Sequence, residues 1–481
     1  MRRRARLAFA LLVFTGLPAQ ESAPHDPAAA FHDRAGLAEA GRGNWTGALA
    51  NFQKAIELAP EFAEAHYHLA VVYARLGNRA QAFEACQQAL RLRPDYPEAL
   101  YMFAGSCHEA GDAEGAATIL KPLVKRLPQF SEARYNLALA LKDAGRLEAA
   151  AEQLRAAVGL EPRNAKYRVA LGIVLAEQQR TEEAIEALRE AVRLEPANPE
   201  AHYNLGVALA AAGRTAEAGR YFREAIRLKP EHAAARRGLG LSLLHEGALA
   251  AAEAELRQAA AVAPQDPDNW NNLGMVHLRQ KRFAEAIEVL ERAVSLNPRF
   301  IKAWSNLAQA HQRAGRAAEA RQAAERVREL LAEQRNLGRA MILTQTAVQR
   351  LESGDALTAI AQLREAIATS PGFADAYAEL GKALMRVAPK SEEPLELLRR
   401  AAELDPGKAE IRYALTRALL QRGRAGDALT ELQGALRLRP CWAEARRLLA
   451  EVHAKLGQAE AARSEQQLAR ALEAAEVSRA P

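Results

Sequence analysis

Apolar residues recur along this chain at helical spacing. In residues 199–232, Leu205 and Leu209 fall on one face of the stretch PEAHYNLGVALAAAG, and Phe222 takes the seam position of the stretch that follows. Side chains four apart stack on one side of a helix, so the pattern predicts two amphipathic helices of about a dozen residues each. Gly206, Ala218 and Ala225 stand beside the seam, where small side chains let two helix backbones approach closely. An amide, Asn204, lies next to the same seam. No strand-like run competes with this reading.

The pattern repeats. Pro60, Pro94, Pro128, Pro162, Pro196, Pro230, Pro264 and Pro298 follow one another at a constant interval. Each ends a second helix, because proline lacks the amide that would continue the ladder. Gly77, Gly111, Gly145, Gly213 and Gly247 divide the pairs, at the place where a left-handed residue stops a first helix. A single pair cannot bury its seam, whereas stacked pairs bury it continuously, so an α-solenoid is expected.

The period, about 34 residues, and the residues that mark it resemble the tetratricopeptide repeat, W-x2-L-G-x2-Y followed by A-x3-F, A and P. In 267–300 the matching residues are Trp270, Leu273, Gly274, His277, Ala286, Leu290, Ala293 and Pro298; in 63–96 they are His66, Leu69, Ala70, Tyr73, Ala82, Cys86, Ala89 and Pro94. The resemblance implies an all-α, right-handed superhelix of antiparallel helix pairs. Nine repeats are placed in 29–334 and four in 340–476, thirteen in all, with a register break at 335–339 and a tail at 477–481. The proline due at position 332 is Ala332, so the helix before the break is expected to run on, with the repeats on either side meeting at an altered angle. Glu39 and Gln466 stand at normally apolar positions of the first and last repeats, as in capping units that face water.

Charge changes the picture little. The chain carries a formal +6, but Arg2, Arg3, Arg4 and Arg6 supply four of those charges; without them 61 basic residues face 59 acidic ones. A clustered cationic excess for a phosphate backbone is missing, so no nucleic-acid partner is expected. Those arginines precede an apolar run, Leu7 to Leu17, and the small residue Ala19, which together read as a secretory signal over 1–19, followed by a linker over 20–28. The run is short against the about 20 residues that span a bilayer, so no transmembrane span is expected in the mature chain. The protein is therefore expected to be exported, to a bacterial periplasm or beyond. Of three cysteines, Cys86 and Cys107 fall on helices that should pack together, as a bridge or as two buried thiols; Cys441 has no candidate partner.

Catalytic and cofactor signatures are missing: the chain has no GxxxxGK[ST], HExxH or GxSxG motif and no EF-hand loop. The pair Gly238 and Gly240 reads as close packing within a helix. His32, His66 and His202 at the fourth position of their repeats, and His277, His311 and His453 at the eleventh, stand where the family has aromatics, which points to interhelix packing and to no metal. No enzyme activity and no cofactor are expected.

The family's first helices line a groove for ligands, and the array resembles in particular the substrate-recruiting repeats of O-GlcNAc transferases, where asparagines at the sixth position grip a peptide backbone. That position here holds Asn136, Asn204, Asn272 and Asn306, interrupted by Ala170 and Gly238. An amide offers two donors and an acceptor to a peptide of any sequence. Tyr67, Tyr101, Tyr135 and Tyr203 occupy the fifth position, as groove contacts or as cover for the neighbouring helix. Arg237, Asn271, Asn272, Lys302 and Asn306 gather amides and cations, and Arg237, Asn272 and Lys302 match in part a clamp for a peptide C-terminus, from which Leu241 and Asn306 depart. The expected function is a protein-interaction scaffold that binds extended segments in envelope assembly or secretion. A recruiting subunit for a separate glycosyltransferase and a polysaccharide-export scaffold are the alternatives.

Overall fold

The computed structural model describes residues 26–477, with side chains through residue 473. The expected signal segment, 1–19, and residues 478–481 of the tail lie outside this range.

Helix pairs follow one another along the chain: α1 (Pro27–Gly41) and α2 (Trp45–Leu58), α3 (Ala63–Arg75) and α4 (Arg79–Leu92), α5 (Pro97–Ala110) and α6 (Ala113–Arg126), α7 (Ser131–Asp143) and α8 (Leu147–Leu160). Next come α9 (Ala165–Glu177) and α10 (Thr181–Leu194), α11 (Pro199–Ala211) and α12 (Thr215–Leu228), α13 (Ala233–His245) and α14 (Leu249–Val262), α15 (Pro267–Arg279) and α16 (Phe283–Leu296). After α17 (Ile301–Arg313) and α18 (Ala317–Glu352) follow α19 (Ala356–Thr369), α20 (Ala374–Val387), α21 (Glu393–Leu404), α22 (Ala409–Gln421), α23 (Ala425–Leu438), α24 (Ala443–Lys455) and α25 (Ala459–Val477). The described residues form an α-solenoid of helix pairs and contain no strand.

Thirteen pairs would need one helix more than the 25 that the described residues hold, because α18 serves two repeats. Its 36 residues run through 335–339 without a break, about 54 Å at 1.5 Å per residue. No proline interrupts this stretch, so nothing removes an amide from its ladder.

Two units divide the contacts. Of the described residues, one unit comprises 26–146, 347–364 and 372–477; the other comprises 147–346 and 365–371. In the second, the seam is filled as the spacing implies: Phe222 is 2% exposed, and a Cβ added at Gly206 or at Gly238 would lie 2.7 Å from its ring. Gly240 meets Leu256 in the same way, at 2.6 Å, so both glycines of the GLG run are there for close packing.

The first unit departs from the rule that a solenoid repeat touches only its neighbours. Helix α25 packs on α24 and also on α4 and α6. The last repeat is therefore covered, not turned wholly to water as a capping unit: Leu468, Ala469, Ala471 and Leu472 are buried. The cysteines change accordingly. Cys107 and Cys441 form a disulfide with Cα atoms 6.0 Å apart, while Cys86 is a buried free thiol. Local repeat geometry pairs Cys86 with Cys107; the approach of repeats far apart in sequence pairs Cys107 with Cys441.

Candidate peptide-binding face

Three periodic contacts shape the face of the first helices. At the fourth position of many repeats, a nitrogen donates to the carbonyl of the proline that closes the repeat before. His66 Nε2 bonds Pro60 at 2.9 Å, His202 Nε2 bonds Pro196 at 2.9 Å, and Trp270 and Trp304 Nε1 bond Pro264 and Pro298 at 2.9 and 3.0 Å. Arg134, Arg168, Arg236, Arg412 and Arg446 do the same. A proline carbonyl at a helix end has no intrahelical donor. What histidine, tryptophan and arginine share is an N–H, so the fourth-position histidines His66 and His202 are hydrogen-bond donors and not merely aromatic fillers.

At the fifth position, the aromatic ring packs at a tilt against the last residue of the same repeat, just before the next first helix. Ring centroids are 5.1 Å apart for Tyr67 and Tyr96, 5.0 Å for Tyr101 and Phe130, 4.8 Å for Tyr203 and His232, and 4.6 Å for Tyr413 and Trp442. These pairs join each repeat to its successor, as aromatic pairs at about 4.5–7 Å do. Tyr101 and Tyr135 are buried, whereas Tyr67 and Tyr203 are half-buried. Burial pushes the Tyr67 and Tyr203 phenols up from their ordinary pKa, Glu98 adding to the shift at Tyr67. Tyr67, Tyr101 and Tyr203 thus cover the start of the neighbouring helix, and the signal that reveals this is the second ring, at the last position of the same repeat.

The sixth-position amides divide. Asn136 is buried and donates to Tyr101 Oη at 2.6 Å, across two successive repeats. Asn272 and its neighbour Asn271 are also buried, with Asn271 Nδ2 3.4 Å from Asn272 Oδ1. These are not the solvent-facing amides expected; first helices in register bring the fifth position of one repeat against the sixth of the next, and the amides find partners there. Asn204 is half-buried and donates to the Glu200 carbonyl of its own helix at 2.8 Å. Asn306, half-buried, donates to Asn271 Oδ1 at 2.9 Å.

In the second unit, these amides belong to a polar run over α13, α15 and α17. Arg237 Nη1 lies 2.5 Å from Asp266 Oδ2 and 3.2 Å from Asn269 Oδ1. Asn269 is fully buried and donates to the carbonyls of Ala259 and Ala263. Arg237 is therefore engaged with an internal carboxylate, while Lys302 is exposed. The expected clamp is thus divided, one of its cations being already neutralised within the chain. Just before α16, Arg282 binds Glu253 and holds its carboxyl down at about 2. In the first unit, the His108 hydrogen bond does the same for Asp143, also to about 2.

No group of three or more potential metal ligands occurs among the described residues. None of the described helices is long and apolar enough to cross a membrane.

Family models described as tetratricopeptide repeat match the chain repeatedly. One matches residues 75–141, 108–172, 209–273, 277–341 and 392–440, together more than half of the chain; others match 169–230 with 251–299, and 443–465, and a TPR repeat model matches 36–77. No curated protein matches the chain. Among solved structures, it is similar to YrrB, a TPR protein with an unusual peptide-binding site, at 23% identity and a TM-score of 0.33, covering 38% of this chain and 95% of that one. It is similar to MamA from Desulfovibrio magneticus RS-1 at 28% identity and a TM-score of 0.32, covering 35% and 93%. It is also similar to PilW, a type IV pilus biogenesis factor, at 20% identity and a TM-score of 0.40, covering 41% and 92%. The repeat-family models span most of the helix pairs, and the chain belongs to the tetratricopeptide repeat family.

Proposed function

We propose that this chain is a non-enzymatic scaffold that binds an extended protein segment along the first helices of its second unit, in an envelope or secretion assembly outside the cytoplasm. The observation that carries the reading is the polar run from Arg237 through Asn271 to Asn306. Its amides are tied to one another, which fixes their positions, and half-buried Asn306 and exposed Lys302 lie at its edge. Preorganised polar groups of this kind favour an ordered ligand because little side-chain entropy remains to be lost. Half-buried Tyr203 adds apolar area at low entropic cost. Export is supported by the apolar run after the N-terminal arginines and by a disulfide, a bond that persists in oxidising compartments.

A photo-crosslinking residue in place of Lys302 should capture protein adducts in the native compartment, and one in place of Glu291 on α16 should not. Equal capture at both positions, or none at 302, would sink the groove reading. Intact mass of the same material should show cleavage near Ala19; a mature chain beginning at Met1 would remove the export reading.

A further inference from the structure

The contact between repeats two and three and repeats twelve and thirteen is built like a closure. Asp112, at the start of α6, has a side chain only 1% exposed. Its Oδ1 accepts from the Gly115 amide at 3.0 Å, capping α6. The same carboxylate accepts from the Cys441 amide at 3.0 Å and lies 3.4 Å from Arg439 Nε, both near the other end of the chain. Arg439 is held in turn by Glu410 at 2.7 Å and by the Trp442 ring, 4.6 Å from its guanidinium. A second anchor lies between α4 and α25: Glu465 takes Arg446 at 2.8 Å and Arg91 at 3.6 Å, all three largely buried. Space is matched as closely as charge, since a Cβ at Gly115 would lie 2.6 Å from the Cys441 Cβ. The disulfide joins the same two segments across a sequence separation of 334.

We propose that these groups form a redox-gated clasp: oxidised, the chain holds its last repeat on its second and third; reduced, it releases α25 from α4 and α6. The covalent step balances simply. A dithiol reductant gives two electrons and two protons, the Cys107–Cys441 bond breaks to two thiols, and the reductant closes to its own disulfide. Cys107 is fully buried and Cys441 is 6% exposed, so an attacking thiolate gains access only when the clasp opens. The Asp112 and Glu465 contacts therefore set how fast the bond is reduced, and the bond sets whether the open form persists. Without it, the Asp112 contacts with Cys441 and Arg439, the Arg91–Glu465 pair and the packing of α25 on α4 and α6 alone oppose the entropy of separating segments so distant along the chain. Opening bares the faces of α4, α6 and α25 that the closed form buries, so redox state would govern which surfaces this scaffold offers.

The full chain purified under oxidising conditions and then denatured should titrate one thiol, that of Cys86, and three after dithiothreitol. Native hydrogen exchange in α25 and α6 should quicken by at least about tenfold on reduction, with helix content unchanged. The Cys107→Ser/Cys441→Ser double variant should exchange at the fast rate without reductant, and Cys86→Ser at the slow rate. Asp112→Asn can keep the helix cap through its one oxygen, but its amide nitrogen cannot accept from the Cys441 N–H and it lacks the charge that holds Arg439, so it should speed reduction of the bond by about tenfold. Three thiols in the unreduced chain would overturn the proposal, as would equal α25 exchange in oxidised and reduced wild-type protein. An unchanged reduction rate in Asp112→Asn would overturn the gating role.

Discussion

The two units use one repeat for different ends. In the first, the fifth position packs aromatic on aromatic in several repeats, as in Tyr67 on Tyr96 and Tyr413 on Trp442, an arrangement the second keeps at Tyr203 and His232, and the last helix returns to α4 and α6. In the second, the corresponding face carries Arg237, Asn271 and Asn306, and its helices pack on those close in sequence. The difference teaches that the seam specifies the repeat, while the residues beside it specify what the repeat does. It also teaches that, among the described residues, the first unit escapes the quasi-one-dimensional regime in which stability is a sum of nearest-neighbour contributions.

The largest expected effect tests that regime. Leu290 is fully buried against Gly274, and Ile119 is 1% exposed on α6. Either residue changed to alanine should cost about 2–5 kcal/mol in denaturant unfolding. The reach should differ: hydrogen exchange should quicken from α14 to α17 in Leu290→Ala, but in Ile119→Ala it should quicken in α25 as well, at the far end of the chain. Exchange confined to α5–α7 in Ile119→Ala would erase the distinction between the units.

A smaller effect separates the amides. Asn136→Ala in the first unit removes a buried donor from the Tyr101 hydroxyl and should cost about 1–3 kcal/mol. Asn204→Ala in the second unit removes only a bond to its own helix and should shift stability by about 0.5 kcal/mol or less. Thermal melts of the two single variants decide this, and equal melting temperatures would show that burial does not distinguish them.

Position four should unite the units again. Arg134→Met in the first and Trp304→Phe in the second each remove the donor to a proline carbonyl. Each should cost about 1 kcal/mol in chemical denaturation. If Trp304→Phe is neutral while Arg134→Met is not, ring packing and not the N–H is what Trp304 contributes.

Much of this fold was legible because it is local. In-phase prolines, left-handed glycines and small residues beside the seam are each read within a single repeat, and they locate the helix pairs. The long α18 was foreseeable for the same reason, since Ala332 stands where proline would have stopped it. The Cys107–Cys441 bridge was not, because a period says which neighbours pack and is silent on repeats far apart. The site was half legible. Asn136 and Asn204 occupy the same repeat position, yet their partners differ: Tyr101 stands at the fifth position one repeat before Asn136, while Val169, which has no hydroxyl, stands there before Asn204. Positional identity gave the face, and pairing across repeats decided exposure.

The smallest effect concerns the turns. In the first unit, the left-handed residues that end first helices, from Gly43 to Gly457, are all glycines; in the second, Gln179 and Lys281 adopt φ of 63° and 61° where Gly213, Gly247 and Gly315 serve elsewhere. A side chain in this conformation costs roughly 1–2 kcal/mol, because its Cβ crowds the following carbonyl. Glycine removes that cost but gives the unfolded chain more freedom, worth about 0.4–1 kcal/mol in the opposite direction. The first contribution exceeds the second, so Lys281→Gly should stabilise the second unit by about 0.5–1 kcal/mol. Gly423→Lys in the first unit should destabilise it by a similar amount, and both are measured by urea unfolding. A destabilised Lys281→Gly would mean that the lysine side chain holds something at this turn, and the two units would then differ at their turns as well as on their faces.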